Sequence, residues 1–345
     1  MKDAFPSVCG SARLRRAIAD DIESGTFAHA YLFEGPKGSG KAAFALAVAA
    51  ALACEKKTDP LLPLPCGQCG PCKRILASLC PDVQTIGPDE GKATIGVDRI
   101  RRLKESLVLT PGELDFKCYI IRDADRMTPQ AQNSLLKMLE EPPGSRTVYL
   151  LLAKNAQKLL PTVRSRAPVL RLSPPTRREL AAYLKDTLPF SGVEADFAAA
   201  ASGGNLALAE AIYLKKAEAQ APLADRALVT ETAELFGRDC SKGEFLLFFN
   251  RFPQKKEELL ALLMLIYRAM RDIIAAKRTE RFEPDFFLTS GEASACASRI
   301  SVKGAAALSV LLTDTAAELE KNAPPKTLLP AFALRAYHAR GGIRP

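Results

Sequence analysis

Short apolar runs alternate with segments of helical periodicity in the first half of the chain. The runs, each long enough for a buried strand, are residues 30–33, 83–86, 118–121, 147–152 and 169–172. In the segments between them, apolar residues recur every three or four positions, as at Leu14, Ile18 and Ile22. Strands that alternate with helices predict an α/β domain, in which helices cover both faces of a five-stranded parallel sheet.

The pattern changes after Pro174 and Pro175, because the remaining sequence shows helical periodicity and no convincing strand. Residues 176–188, 193–201 and a segment from Leu206 predict three short helices, and longer leucine-rich helices follow from about residue 231. We therefore expect three domains: an α/β domain at 1–173, a small helical domain at 174–215 and an all-α domain at 216–345.

Residues 35–42 follow the first predicted strand and have most of the pattern of a nucleotide-binding phosphate loop. That pattern, G-x-x-x-x-G-K-[S/T], binds phosphates with backbone N–H groups and a lysine, and binds Mg²⁺ with its last hydroxyl. The chain keeps Gly35, Gly38, Gly40 and Lys41, but Ala42 replaces the hydroxyl residue. We expect no Mg²⁺ site, and the remaining loop either binds ATP or ADP or stays empty.

Four of the nine cysteines lie close together in the sequence, at Cys54, Cys66, Cys69 and Cys72. Two overlapping C-x-x-C steps present sulfurs to one tetrahedral ion. The first ten residues lack the apolar core of a signal peptide, which favours a metal over disulfides. The spacing predicts a closed, structural zinc site in an insertion at about residues 54–80, with a redox C-x-x-C pair as the alternative.

The formal net charge of +9 over 345 residues is mild and favours acidic partners. A predicted helix at 96–109 carries Arg99, Arg101, Arg102 and Lys104 opposite its apolar stripe. Such a face suits salt-dependent contact with DNA phosphates, and a solvated basic surface is the alternative.

Several sequence segments together resemble a known family. They are residues 27–35, the phosphate loop, the cysteine insertion, residues 133–143 and residues 160–166. In this order they resemble the clamp-loader subunits of bacterial DNA polymerase III, which are AAA+ proteins of the gamma/tau and delta-prime type. The resemblance covers roughly residues 10–210 and implies an AAA+ P-loop domain with a zinc-binding insertion. It also implies a small helical lid domain and an all-α C-terminal collar domain.

The residues that family ATPases need for hydrolysis are changed at three positions. Those enzymes place a carboxylate for Mg²⁺ and then a Glu for the attacking water at the end of the third strand. Counting back from residues 133–137 puts Arg122 and Asp123 at these two positions. Ala207 stands where the family's lid arginine contacts the terminal phosphate. Together with Ala42, these changes indicate that the chain does not hydrolyse ATP.

One catalytic element of the family is kept in residues 165–167, which correspond to its Ser-Arg-Cys motif. The resemblance implies that Arg166 acts in trans as an arginine finger on the ATP of a neighbouring subunit. Arg164 is a nearby competitor for this role. Asn155 lies where the family has a phosphate-sensing residue, but without the other groups we expect it to cap the following helix.

The resemblance therefore implies a non-hydrolysing subunit of the delta-prime type, which helps to load the sliding clamp on primed DNA. Its implied partners are the gamma/tau and delta subunits, the sliding clamp and primer–template DNA. Its implied location is the cytoplasm, at the nucleoid during replication, without membrane contact. An active gamma/tau-type ATPase, or a zinc-dependent DNA-binding module with a vestigial ATPase fold, remain alternatives.

Overall fold

The chain divides into two compact units in this computed structural model, which describes residues 4–89, 91–107, 110–140, 147–187, 192–214, 220–279, 281–321 and 323–340. The first unit is Met1–Pro189 with Gly204–Ala207, and the second is Phe190–Gly203 with Leu208–Pro345. The predicted boundary at 215–216 and residues 141–143 of the family-like segment lie outside the described residues. The three-domain division therefore stays a prediction.

A five-stranded parallel sheet forms the centre of the first unit and confirms the predicted fold class. Its strands are β1 (Ala30–Glu34), β2 (Val83–Ile86), β3 (Lys117–Ile121), β4 (Thr147–Ala153) and β5 (Val169–Arg171). The spatial order is β2-β3-β4-β1-β5, so that β1 lies between β4 and β5. In this register Leu32 pairs with both Leu151 and Val169. The central strands β3, β4 and β1 are covered on both faces and read as nearly continuous apolar runs. The edge strand β2 instead exposes Gln84 and Thr85 between Val83 and Ile86.

Helices cover both faces of this sheet, as the alternation predicts. Those with residues in the two cores are α1 (Ala12–Ser24), α2 (Lys41–Leu52), α3 (Gly70–Leu76), α4 (Val97–Leu107), α5 (Pro129–Glu140) and α6 (Pro161–Arg164). The helix α7 (Arg177–Thr187) follows in the same unit. One core contains Phe33 and the α2 residue Phe44, and the other contains Leu32 and the α5 residue Leu135. Because Phe33 and Leu32 are adjacent in β1, their side chains point to opposite faces.

Two details show how the sequence sets these helices. The α5 helix begins at Pro129, and the Thr128 hydroxyl caps it by accepting a hydrogen bond from the Ala131 N–H at 3.2 Å. Most of α2 is buried, and its many alanines keep the helix thin. The phosphate loop that precedes α2 is thus held between a central strand and a buried helix.

The second unit contains helices and no strand among its described residues. Its helices are α8 (Gly192–Ser202), α9 (Leu206–Tyr213, which starts in the first unit), α10 (Gln220–Gly237), α11 (Lys242–Phe248), α12 (Lys256–Arg278), α13 (Ser290–Ala297), α14 (Val302–Glu320) and α15 (Pro325–Arg340). Its core is rich in leucine and phenylalanine. The buried carboxylate of Asp272 accepts hydrogen bonds from the N–H groups of Asp285, Phe286 and Phe287 at 2.7–3.1 Å.

No single helix in the described part of the chain is long and apolar enough to cross a membrane. The pair α13 and α14 meets that test of length and composition only when taken together, and it is bent by 103°.

Candidate functional site

The phosphate loop connects the carboxyl end of β1 to the first turn of α2. Gly38 and Gly40 have φ angles of +83° and +81°, a region in which side chains other than glycine are strained. A Cβ atom at Gly35 would lie 2.6 Å from the carbonyl oxygen of Leu172. The backbone of this loop therefore requires glycine at these three positions.

Lys41 is bonded to its own loop. Its ammonium donates hydrogen bonds to the carbonyl oxygens of Gly35 and Pro36, both at 2.7 Å. Burial lowers the pKa of Lys41, and the nearby carboxylates of Asp123 and Asp125 oppose this shift. The group that a phosphate loop offers to the outer phosphates is thus turned toward loop oxygens.

The first residue after β3 is Arg122, which the sequence predicts at the position of the Mg²⁺ carboxylate of family ATPases. Arg122 is exposed, and a Cβ atom at Gly87 would lie 3.5 Å from one of its guanidinium nitrogens. Asp123 adopts a left-handed conformation with φ of +51°. Asp125 accepts a hydrogen bond from the Lys154 N–H at 3.3 Å. Arg122 therefore extends beside the end of β2, while the two aspartates lie on the side of Lys41.

The segment Gly204–Ala207 contacts the phosphate loop directly. The N–H of Leu206 donates to the carbonyl oxygen of Gly38 at 2.9 Å. A Cβ atom at Gly38 would overlap with the side-chain carboxamide of Asn205. The sequence predicted a place near the phosphates for Ala207, but it did not predict the contact of Asn205. The signal available was a glycine pair followed by Asn before an apolar helix, which marks a helix start rather than a contact.

Arg164 and Arg166 have different surroundings. Arg164 donates to the side chain of Gln157 at 2.8 Å, and its charge helps to lower the pKa of Glu34 at the end of β1. Arg166 lies at the surface, where it donates to the carbonyl of Thr162 at 3.1 Å and forms a 2.6 Å ion pair with Glu140. Of the two candidates, Arg164 is thus the one whose charge acts on the carboxyl end of β1, from which the phosphate loop starts.

Gln132 links α5 to the segment that carries both arginines, and the sequence analysis did not single it out. Its side-chain amide donates to the carbonyls of Met127 at 3.1 Å and Lys158 at 3.5 Å. Its side-chain oxygen accepts from the N–H of Leu160 at 2.7 Å. Gln132 is 3% exposed and shares a helical face with Leu135 and Leu139. A polar residue within an apolar stripe was the available signal.

Asn155 caps a single helical turn after β4, as expected, since its side-chain oxygen accepts from the N–H of Gln157 at 2.8 Å. In the same place Glu34 accepts from the N–H of Ala156 at 2.8 Å and pairs with Arg171 at 2.9 Å. The Ala156 hydrogen bond is the main cause of a lowered pKa of Glu34. Polar groups here serve local structure.

The four predicted cysteines form one buried cluster, which confirms their grouping. The sulfurs of Cys54, Cys66, Cys69 and Cys72 all lie within 4.8 Å of one another. The sulfurs of Cys66 and Cys72 are 3.9 Å apart. Tetrahedral zinc with Zn–S bonds of about 2.3 Å requires sulfurs about 3.8 Å apart, so the arrangement fits the ion. Cys80 is buried but lies outside the cluster.

Backbone groups around this cluster also favour a bound cation. The N–H of Cys69 donates to the sulfur of Cys66 at 3.4 Å. Burial raises the pKa of Cys66, but backbone hydrogen bonds from Cys69 and Gln68 outweigh it and lower that pKa to about 6. Cys54 follows α2 and Cys72 lies in α3, so a metal here would tie the insertion to the buried helix of the phosphate loop.

The predicted basic face of α4 is partly neutralised by carboxylates. Asp89 lies 3.7 Å from Arg99 and 3.6 Å from Arg102, and Arg101 pairs with Asp98 at 3.2 Å. Arg101, Arg102 and Lys104 are exposed, whereas Arg99 is half-buried. The surface that α4 offers to an anion therefore consists mainly of three side chains.

Comparisons with known proteins extend through both compact units. The family model "DNA polymerase III, delta subunit" matches residues 10–176. DNA polymerase III subunit delta' of Bacillus subtilis (strain 168) is 32% identical over 281 residues, which are 80% of this chain and 81% of the relative. DNA polymerase III subunit gamma of Buchnera aphidicola subsp. Schizaphis graminum (strain Sg) is 27% identical over 270 residues, 75% and 70% of the two chains. A gamma subunit-related protein structure from Thermotoga maritima MSB8 aligns with a TM-score of 0.43 and 20% identity, covering 94% of this chain and 99% of that one.

Proposed function

The chain belongs to the family of DNA polymerase III delta-prime clamp-loader subunits, and from this premise we propose that it is a non-hydrolysing subunit of a clamp-loader ring. Its catalytic contribution is Arg166, which it supplies in trans to the ATP of a neighbouring subunit. The observation that carries this proposal is the contrast between a half-buried Arg166, whose guanidinium is oriented at the surface, and a nucleotide site that lacks the groups for hydrolysis.

Three residues support the absence of hydrolysis by the chain itself. Ala42 offers no hydroxyl to Mg²⁺, and Arg122 brings positive charge to the position of the metal-binding carboxylate. Ala207 lies in the segment Gly204–Ala207, which contacts the phosphate loop, and it offers no guanidinium to the terminal phosphate. Because Mg²⁺ and the lid arginine neutralise charge in phosphoryl transfer, the loss of both removes the main source of transition-state stabilisation.

The choice of Arg166 over Arg164 is supported by their surroundings. The hydrogen bond to Gln157 and the charge interaction with Glu34 engage Arg164 within its own subunit. Arg166 is held at the surface by acceptors on α6 and α5, where a neighbouring subunit can meet it. An arginine finger stabilises the charge that develops on the transferred phosphoryl group.

The partners proposed for this function are the gamma/tau and delta subunits, the sliding clamp and primer–template DNA. Residues 174–215 are proposed as the lid domain and residues 216–345 as the collar through which the subunits assemble. The cysteine cluster is proposed to hold one structural zinc. The exposed residues Arg101, Arg102 and Lys104 are proposed to contact DNA phosphates, which predicts binding that weakens with salt.

The decisive experiment is an Arg166→Ala chain reconstituted with gamma/tau and delta. We expect the DNA-stimulated ATPase rate of the complex to fall. At the one site that an arginine finger serves, its loss slows hydrolysis by about 10³–10⁵. The other ATP sites in the ring keep their own arginine fingers and continue to hydrolyse ATP. The quantity to measure is therefore the single-turnover rate of hydrolysis at the adjacent site. Arg164→Ala is the matched control, since it removes the neighbouring arginine. Unchanged hydrolysis with Arg166→Ala in an intact complex would contradict the assignment.

The chain alone gives a second test against the gamma/tau-type alternative. Purified protein with MgATP and primed DNA should show no hydrolysis above a Lys41→Ala variant. Turnover that depends on Lys41 would favour an active ATPase and overturn the proposal.

A further inference from the structure

We propose that Asn205 is a latch that holds the phosphate loop closed, and that the loop behind it can still bind the phosphates of a nucleotide without Mg²⁺. This proposal rests on the proposed function and adds to it a physical reason why the chain's own nucleotide site is inactive. It concerns nucleotide binding, which the losses at Ala42, Arg122 and Ala207 do not by themselves remove.

The latch is the contact between Asn205 and Gly38. The Asn205 carboxamide fills the space that a side chain at Gly38 would take. The adjacent Leu206 donates its N–H to the Gly38 carbonyl at 2.9 Å, and its buried side chain would lie 3.6 Å from a Cβ atom at Gly40. Gly204, with φ of +83°, provides the turn that brings these residues onto the loop. One short segment therefore covers two of the motif's glycines.

The interior of the closed loop is occupied as well. Lys41 gives two hydrogen bonds of 2.7 Å to Gly35 and Pro36, so its ammonium is engaged where a phosphate would need it. Among the described residues, the Ser39 hydroxyl is 2% exposed and has no hydrogen-bond partner. A buried hydroxyl without a partner is uncommon in folded proteins. The closed arrangement thus leaves one polar group of the loop unsatisfied, which an open arrangement can correct.

The groups that bind phosphate are nevertheless present. Gly38 and Gly40 have left-handed conformations, and α2 is a helix of 12 residues that begins at Lys41. Backbone N–H groups at the start of such a helix attract anions. Without the hydroxyl at position 42, phosphate binding relies on these N–H groups and on Lys41. We therefore expect binding that does not depend on Mg²⁺.

ADP is the appropriate probe for this site. Asp123 and Asp125 bring negative charge near Lys41, and no Mg²⁺ is expected to screen it. ADP places less negative charge near them than ATP does. When the binding-competent state is populated to only about one tenth, the apparent affinity falls about tenfold, and removing the latch restores it.

The test is calorimetric titration of the full chain with ADP in EDTA, comparing the unmodified protein with Asn205→Gly. Asn205 directly precedes α9, and glycine is tolerated at that position while it removes the whole carboxamide. We expect Asn205→Gly to bind ADP about tenfold more tightly. Asn205→Asp, which has the same size and adds negative charge, is the matched control and should gain nothing.

Adding Lys41→Ala to Asn205→Gly should abolish the gain, which would locate the binding in the loop. The inference is overturned by equal affinities of the unmodified and Asn205→Gly chains, by no measurable ADP binding to Asn205→Gly, or by a gain that survives Lys41→Ala. Because this assay uses the isolated chain and ADP, its failure would leave the Arg166 result in the complex untouched. A failed Arg166 assignment would likewise leave the latch standing.

Discussion

Arg166, two residues after α6, forms a 2.6 Å ion pair with Glu140, the last residue of α5. Arg166 also donates to the carbonyl of Thr162 and to the hydroxyl of Ser165, at 3.1 and 3.3 Å. A carboxylate at the carboxyl end of a helix opposes the helix dipole, and the guanidinium compensates for that charge. Three acceptors thus hold the proposed finger in one orientation at the surface.

Replacing Glu140 with Gln should therefore disorient Arg166 without unfolding the chain. Both side chains are more than a third exposed, so the change in stability should stay below about 1 kcal/mol. We expect hydrolysis at the neighbouring site to slow by about tenfold, because a displaced catalytic group loses part of its effect. The decrease should appear in kcat with KM unchanged. A loss as large as that of Arg166→Ala would indicate a role of Glu140 beyond orientation.

The sequence predicted the sheet and the cysteine cluster well, because both depend on residues that are close together in the sequence. The three central strands are nearly continuous apolar runs, and three of the four cysteines lie within seven residues. The contacts of Gln132 and Asn205 were missed because their partners lie far away along the chain. Gln132 meets Leu160 across 28 residues, and four of the five strands lie between Gly38 and Asn205 along the chain. Periodicity and motif spacing carry no information on such contacts.

Gln132→Leu should destabilise the first unit. The substitution leaves the Leu160 N–H and the Met127 carbonyl without the partners that Gln132 provides. Buried groups without partners cost about 1–3 kcal/mol, which should lower the free energy of unfolding measured in urea by that amount. Gln130→Leu is the control on the same helix, since Gln130 is exposed. Equal effects of the two substitutions would contradict the bridging role of Gln132.

The cysteine cluster should bind one zinc ion per chain. Metal analysis of an unchelated preparation checks this, and Cys69→Ser should lose the ion, whereas Cys80→Ser should keep it because Cys80 lies outside the cluster. When free zinc exceeds its dissociation constant by 1,000-fold, bound zinc adds about 4 kcal/mol to stability. Chelation should therefore lower the Tm of the unmodified chain and leave that of metal-free Cys69→Ser unchanged. Well under one zinc in the fresh protein would contradict the site.

Asp82, which precedes β2, gives the fold a dependence on pH whose sign follows from its contacts. Its buried carboxylate accepts N–H hydrogen bonds from Gly112, Glu113 and Leu114 at 2.7–2.9 Å. Burial raises its pKa, but these hydrogen bonds, helped by the charge of Lys117, outweigh burial and lower it. Its stabilisation is therefore full above the pKa of the unfolded state, about 3.9, and is lost as pH falls through the lower folded pKa.

Asp82→Asn should consequently be less stable than the unmodified chain at pH 7, because an amide replaces charge-assisted hydrogen bonds. Hydrogen bonds to a charged group contribute about 1.5–3 kcal/mol, and we expect a loss in free energy of unfolding of that order. The difference between the two chains should shrink as pH falls below about 4, where the unfolded chain takes up a proton at Asp82. Urea unfolding at several pH values measures it. Asp98→Asn, whose side chain is 82% exposed, is the control and should show no such trend. A difference that does not change with pH would mean that Asp82 acts through its shape rather than its charge.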